Sequence, residues 1–246
     1  MQAVILAAGM GRRLRSVSDT LPKGLLTIGQ RTLLEYSLQA LQRYGIQEVI
    51  IVTGYRAEAI VKKIGQDYHG MKIRYVKNDS YDSTGSMFSL FCARGLIGGD
   101  SLILESDLLY DQKAVGLLLD SPFPDAILVG RISNSGDEVY VLADEKGRLL
   151  ELGKKMSCEK KKAAAGELVG ISRLSKKFLE ALFNKAEEDF KKGERNRHYE
   201  ECIGDTNRIG YPMYVVKAAD LTWIEIDKEE DLKKAQEVIF PALSGL

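Results

Sequence analysis

The sequence predicts an α/β fold: a mostly parallel, doubly wound sheet with antiparallel insertions. Three observations predict it. Residues 3–8 are a short, branched, apolar run that passes straight into glycines, the mark of a central strand covered on both faces. Two further strand-like runs, Val49 to Val52 and Lys72 to Val76, are separated by segments of helical period, and that alternation gives parallel strands joined by right-handed crossovers. From Asp137 to Gly153 the alternation gives way to a hairpin pattern, Glu138 to Leu142 and Arg148 to Leu152 flanking Asp144-Glu-Lys-Gly147.

The elements follow in order. After the first strand, Leu6, Ala7 and Ala8 deliver the chain into Gly9 and Gly11. These lack a Cβ, so the backbone can take positive φ and polyphosphate oxygens can approach its N–H groups. Arg12, Arg13 and Lys23 add positive charge beside that turn, at the strand ends where open α/β sheets bind ligands. A dinucleotide fingerprint needs a third glycine where Leu14 stands, and no Gly-Lys-Ser/Thr makes a nucleoside-triphosphatase P-loop.

Leu25 to Gly29 reads as extended, and Thr32-Leu-Leu-Glu35 is a capping box that opens a helix with Leu34, Leu38 and Leu41 on its apolar face and Gly45 at its stop. The second strand ends in Thr53-Gly54-Tyr55, and Ala57, Ile60, Val61 and Ile64 mark the next helix. Asn78 to Gly85 is a polar loop before a helix at Met87 to Phe91, with Ser83 or Thr84 placed as N-cap.

Ser101 to Asp107 is an apolar strand that ends in two carboxylates one residue apart. Alternation sends Glu105 and Asp107 to the same side, and Asp107 emerges at the carboxyl edge near the glycine turn. Hard cations such as Mg²⁺ take one or two such carboxylates together with phosphates and waters, which makes Asp107 the first candidate ligand.

Asp111 to Leu119 reads as helix and Ala126 to Ile132 as strand. Lys154, Lys155 and Lys160 to Lys162 read as a lysine-rich loop without apolar period, a solvated face. Lys154 or Lys155, directly after a strand, is a candidate to meet an anionic group. Ser175 caps a helix to Lys192 with Phe178, Leu179, Leu182, Phe183, Ala186 and Phe190 buried, and His198 to Cys202 reads as a short helix. At the end, Trp223, Glu225 and Asp227 alternate along a strand, with Asp227 either an N-cap for the following helix or a metal ligand.

Bulk properties narrow the partners. Lys+Arg and Asp+Glu are equal at 35 each in 246 residues, so no basic field argues for nucleic acid and the partner is expected to be small. The length suits one compact domain. Cys92, Cys158 and Cys202 are odd in number and widely spaced, and His69 and His198 have no ligand spacing. They read as free thiols in a reducing cytosol and as structural or exposed imidazoles. The apolar opening is too short for a signal peptide or membrane span, so neither a membrane partner nor a location other than cytoplasmic is expected.

The pattern Leu6-Ala-Ala-Gly-x-Gly-x-Arg13-Leu14, followed by Pro22-Lys23, resembles the signature of the sugar-phosphate and alcohol-phosphate nucleotidyltransferases of Rossmann-like, GT-A-like fold. Glu105-Ser-Asp107, Gly166-Glu167-Leu-Val-Gly170 and Trp223-x-Glu225-x-Asp227 extend the resemblance over nearly the whole chain. The short core and the Asn78 to Leu90 block are most similar to cytidylyltransferases of small alcohols, those acting on 2-aminoethylphosphonate or phosphocholine. Arg12, where many relatives carry Thr or Ser, and Gly24 after Lys23 depart from the pattern.

The resemblance implies one nucleotidyltransferase domain spanning 1–246, its nucleotide-binding half about 1–110 and its acceptor half about 111–246. Leu6, Ala7, Ala8, Gly9, Gly11, Arg12, Arg13, Lys23, Gly54, Tyr55, Ser83, Thr84 and Gly85 would bind CTP or another nucleoside triphosphate. Lys23, Arg13 and Asp107 would carry catalysis, and Mg²⁺ would sit on Asp107 with Asp227 and Glu225. Lys154, Lys155, Glu167, Asp137 and Glu138 would meet a small phosphonate or phosphate acceptor under the antiparallel insertions, with pyrophosphate released. A homodimer is compatible with this. A primary amine on the acceptor suits the available carboxylates Asp137, Glu138, Glu167 and Glu200, whereas a quaternary ammonium asks for an aromatic cage. Phosphocholine or a sugar 1-phosphate as acceptor, a GT-A glycosyltransferase and a regulatory relative without catalysis are the alternatives.

Overall fold

A computed structural model describes residues 1–14 and 21–243. The strands in chain order are β1 (Gln2–Ala7), β2 (Thr27–Ile28), β3 (Arg31–Thr32), β4 (Glu48–Thr53), β5 (Asp67–Tyr68), β6 (Met71–Lys77) and β7 (Ser101–Glu105). Then come β8 (Leu108–Tyr110), β9 (Ala126–Gly130), β10 (Tyr140–Ala143), β11 (Leu149–Gly153), β12 (Gly166–Leu174), β13 (Tyr214–Lys217) and β14 (Trp223–Glu225). One sheet of ten strands runs β11-β10-β12-β7-β1-β4-β6-β5, with β9 and β13 branching from β12.

Its centre is parallel: β1 lies between β4 and β7, and β4 pairs β6. The hairpin β10/β11 is antiparallel as expected, and antiparallel joins that the sequence did not reveal add the edge pair β5/β6 and β12 against β7, β9 and β10. The fold is thus the mixed α/β one with a mostly parallel central sheet.

Both faces of the centre are covered, which is why β1 reads as an unbroken apolar run. Ala3, Ile5 and Ala7 join a core with Leu38, Ile60 and Val115, while Val4 and Leu6 face Met87, Leu90, Phe178 and Ile203 on the other side. Fully burying one such Leu or Ile contributes about 1.5–3 kcal/mol. A third cluster, with Leu14, Ile28, Leu33, Leu109 and Ile226, ties the segment after the glycine turn to the C-terminal strand.

Local sequence explains most helix ends. Thr32 and Glu35 form the capping box at the Leu33–Arg43 helix, and Gly45 stands at φ +75° after it. Ser175 Oγ accepts from Phe178 N at the start of the Lys176–Lys191 helix.

Four expectations change. Neither Ser83 nor Thr84 caps the Ser86–Cys92 helix, because both hydroxyls donate to Ser80 O and Gly85 takes the cap position. The lysine stretch is not all loop: Ser157 Oγ accepts from Lys160 N and nucleates a short Cys158–Lys162 helix. Asp227 does not cap the final helix. Asp231 does, accepting from the Asp227 and Lys228 amides, which leaves the Asp227 carboxylate to other partners. The helix after His198 is longer than five residues, Tyr199–Arg208.

Candidate active site

The site is assembled by register. Leu6 is paired with Glu105 across the parallel β1/β7 ladder, so the glycine turn after β1 and the acidic end of β7 leave the sheet side by side. The chain then turns at Ser106-Asp107 into β8, which pairs antiparallel with β14 and sets Glu225 opposite Leu108. Ile226 N donates to Asp107 O, and this fixes the third acidic strand end against the first. Three oxygens, one each from Glu105, Asp107 and Glu225, lie within 4.8 Å of one another. Gly170, at φ +85°, makes room for this: a Cβ there would stand 2.8 Å from Glu105 Oε2.

Crowded carboxylates titrate accordingly. Lost hydration first, then the charges of Glu225, Glu200 and Asp107, hold the Glu105 carboxyl well above the ordinary range. The same burial, with Asp107 and Asp227 nearby, pushes Glu225 up to about 9. An all-oxygen cluster whose members repel one another has the donor chemistry that a hard dication satisfies, so the residues present fit a magnesium ion.

Beside this cluster runs a chain of alternating charge. Lys23 Nζ donates to Asp107 Oδ2 at 2.9 Å and to Asp227 Oδ1; Arg13 spans Asp227 and Asp137 at 2.7 Å each; Lys154 Nζ donates to Asp137 Oδ1 at 2.7 Å. Burial alone would lower the Lys23 pKa, but Asp107 and Asp227 more than reverse that, so the ammonium stays charged. Burial pushes Asp137 up, yet Lys154 and Arg13 hold it below the usual carboxylate range.

A cavity of about 280 Å³ opens over these groups. Of the residues expected to bind nucleotide, Leu6, Ala7, Ala8, Gly9, Gly11, Arg13, Lys23, Thr84 and Gly85 line it. Gly11 has φ +61°. The others stand outside the lining. Arg12 is exposed and turned toward Asp82 O at 3.4 Å, and Ser83 bonds within its own loop. Tyr55 N holds Ala8 O at 3.1 Å, and Gly54 lies so close to Tyr81 that a Cβ would come within 2.6 Å of that side chain. Gly54 and Tyr55 therefore brace the turn from behind.

The acceptor-side candidates divide. Lys154 lines the cavity over the glycine turn and the small acidic cavity next to it, and Lys155 lines a third. Asp137 bridges Arg13 and Lys154. Glu167 is buried, its carboxylate accepting from Ser133 N at 2.6 Å and Ser133 Oγ at 3.2 Å, with burial raising its pKa. Glu138 is committed to Gly136 N and the Tyr140 hydroxyl and lines none of these cavities. Asp227, expected to hold metal with Asp107 and Glu225, is instead paired with Lys23 and Arg13, and the oxygen that converges with those of Asp107 and Glu225 comes from Glu105.

Sequence reasoning missed His198, which lines the nucleotide cavity with Nδ1 3.4 Å from Ser86 Oγ, and also Tyr81 and Ser89. Nothing local marks these three; only the tertiary fold brings residue 198 to residue 86.

Comparison with known proteins places the chain in a family. Residues 3–201 match the MobA-like NTP transferase domain. The chain is 29% identical over 243 residues to the CMP-5'-(3-aminopropyl)phosphonate synthase of Streptomyces rubellomurinus, covering 96% of this chain and 38% of that one. It is 25% identical to the CTP:phosphoglutamine cytidylyltransferase of Campylobacter jejuni, covering 95% and 98%. The chain thus spans well under half of the first relative and nearly all of the second.

In fold it is similar to the inositol-1-phosphate CTP transferase from T. maritima, with a TM-score of 0.80 at 20% identity over 99% and 98% of the two chains. It is likewise similar to the CTP:phosphocholine cytidylyltransferase from Streptococcus pneumoniae, with a TM-score of 0.76 at 22% identity over 96% and 98%. With a glycine turn, two cations and an acidic strand end meeting in one cavity, and with most of its length matched, the chain belongs to the MobA-like NTP transferase family and is a nucleotidyltransferase.

Proposed function

We propose that the protein is a Mg²⁺-dependent cytidylyltransferase that moves CMP from CTP to a small amine-bearing phosphonate or phosphate, 2-aminoethylphosphonate foremost, with release of pyrophosphate. The observation that carries the reading is the single cavity in which the Gly9–Gly11 turn, Arg13, Lys23, Asp107 and Lys154 meet. The names of the similar enzymes support cytidine as the base and an aminophosphonate-type acceptor.

In the reaction an acceptor oxygen forms a bond to the α-phosphorus of CTP while the bond from that phosphorus to the pyrophosphate oxygen breaks. Little covalent work falls to the protein, so alignment and charge compensation dominate. The turn amides and Arg13 would hold the β- and γ-phosphates. Lys23 would offset charge building at the α-phosphate, and Lys154 would bring in the anionic end of the acceptor. Mg²⁺ held by Asp107, Glu225 and Glu105 would supply charge neutralisation at the triphosphate oxygens. A quaternary ammonium is best held by aromatic faces; the cavity beside these acids is lined instead by carboxylates, which favours a primary amine over phosphocholine.

The test is to incubate the protein and Mg²⁺ with each nucleoside triphosphate against 2-aminoethylphosphonate, phosphocholine and a sugar 1-phosphate, and to measure pyrophosphate. Release with CTP and the aminophosphonate above all other pairs is expected. Release restricted to a sugar 1-phosphate, or no release with any pair, would overturn the reading.

A further inference from the structure

Behind the triphosphate cavity lies a small pocket of about 40 Å³, lined by Glu105, Glu200, Glu225, Glu167, Asp137 and Lys154 together with apolar residues. Such a volume holds two or three water-sized groups. Three of its charged members are already satisfied: Lys154 and Asp137 by each other and Arg13, Glu167 by Ser133. Glu200 is not. It is only 7% exposed, it lines this pocket, and its Oε2 is fully enclosed with no hydrogen-bond partner. A carboxylate oxygen left in that state costs free energy unless a donor arrives.

A cationic donor suits this wall, because apart from Lys154, which is paired with Asp137, every ionisable side chain that lines it is a carboxyl group. A second dication fits poorly. Among the described residues, the only set of three or more acids whose oxygens converge within 4.8 Å is Glu105, Asp107 and Glu225, and Glu200 stands outside it. Lys154 belongs to both this pocket and the triphosphate cavity, so one molecule can lie with an anionic end on Lys154 and a cationic end beyond it.

From this we infer that Glu200 is the specificity-determining residue for the acceptor: its carboxyl group receives the N–H of a primary ammonium at the far end of a short phosphonate or phosphate. The inference rests on the transfer reading for the identity of the anionic end, but not for the existence of the amine subsite.

The experiment is calorimetric binding of 2-aminoethylphosphonate and of ethylphosphonate, which has the same anionic head without the amine. It uses wild type, Glu200→Gln and Glu200→Asp, with Mg²⁺ and the α,β-methylene analogue of CTP present. Wild type should bind the amine compound more tightly. Glu200→Gln should weaken that binding about 10- to 100-fold while leaving ethylphosphonate within about twofold, and Glu200→Asp, which keeps the charge at shorter reach, should fall between. Equal binding of the two ligands by wild type, or equal weakening of both in either variant, overturns the inference. So does Mg²⁺ competing with the amine in wild type but not in Glu200→Gln. If CTP supports no transfer to any acceptor, the functional reading fails, and amine-dependent binding still decides the subsite.

Discussion

Lys23→Ala tests the charge chain and the transfer reading at once. The Lys23 side chain is 13% exposed and its partners Asp107 and Asp227 are 19% and 9% exposed, so these ion pairs are sheltered ones. Removing the cation leaves Asp107 without its ammonium and Asp227 with Arg13 alone, a change that costs about 3–5 kcal/mol. For a chain of this size each kcal/mol moves the melting temperature by about 2–4 °C, so calorimetry in chelator should show a fall of about 6–20 °C. A total stability near the middle of the usual range, about 10 kcal/mol, leaves the variant folded at 25 °C.

Two further readouts separate structure from chemistry. Mg²⁺ should raise the melting temperature of Lys23→Ala by more than it raises that of wild type, because a dication can stand in for the missing ammonium beside Asp107. Pyrophosphate release should fall about 10²- to 10³-fold, the loss typical of one preorganised electrostatic contact. A variant that melts within 2 °C (about one kcal/mol at most) of wild type in chelator and turns over at a near-normal rate would refute both the buried-pair argument and the catalytic role.

Asp107→Ala should lose a similar factor in turnover while Kd for Mg²⁺ rises, as read by metal titration; an unchanged metal affinity would remove Asp107 from the cation site. Gly85→Ala places a Cβ 2.5 Å from Asn196 O and 2.6 Å from the Arg197 carbonyl carbon, an overpacking that costs about 1–3 kcal/mol. Denaturant unfolding should show it, together with a higher KM for CTP as the loop shifts. Asp205 predicts the acid limb. Burial raises its pKa, but the Arg197 hydrogen bond and charge, with Arg208, bring it below the ordinary carboxylate value. The stability it adds is therefore present above about pH 4, the unfolded value, and is lost as pH falls through the lower folded value. In Arg197→Met the melting temperature should be lower near neutral pH and should fall less steeply below about pH 4, so that the two proteins converge in acid, and an unaltered acid limb would show that the pair contributes nothing.

What the sequence could reveal was whatever lies close together along it. The glycine turn, Lys23 and Asp107 were legible because each ends or follows an apolar strand, and parallel neighbours put such ends on one edge. Which of two adjacent arginines faces the cavity was not legible: Arg13 reaches two aspartates while Arg12 turns outward, and only the third cluster beneath Leu14 decides it. Asp227 was ambiguous between cap and ligand because Asp231, four residues later, can take the cap. Glu105 and Glu200 acquire their character from enclosure by strands and helices far apart in the chain. The Cys158–Lys162 helix had a signal in Ser157, hidden by the lysines that follow.

The alternating chain from Asp107 to Lys154 balances its own charges, with Arg13, Lys23 and Lys154 facing Asp107, Asp227 and Asp137, three against three, and the Glu105 and Glu225 carboxyl groups beside them. A stray phosphate or sulfate therefore meets no net attraction and must break existing contacts to gain new ones. Only a ligand that brings its own counter-cation and fills several positions together recovers what it disrupts. Rejection of simple anions is in this way a property of the resting protein, present before any chemistry begins.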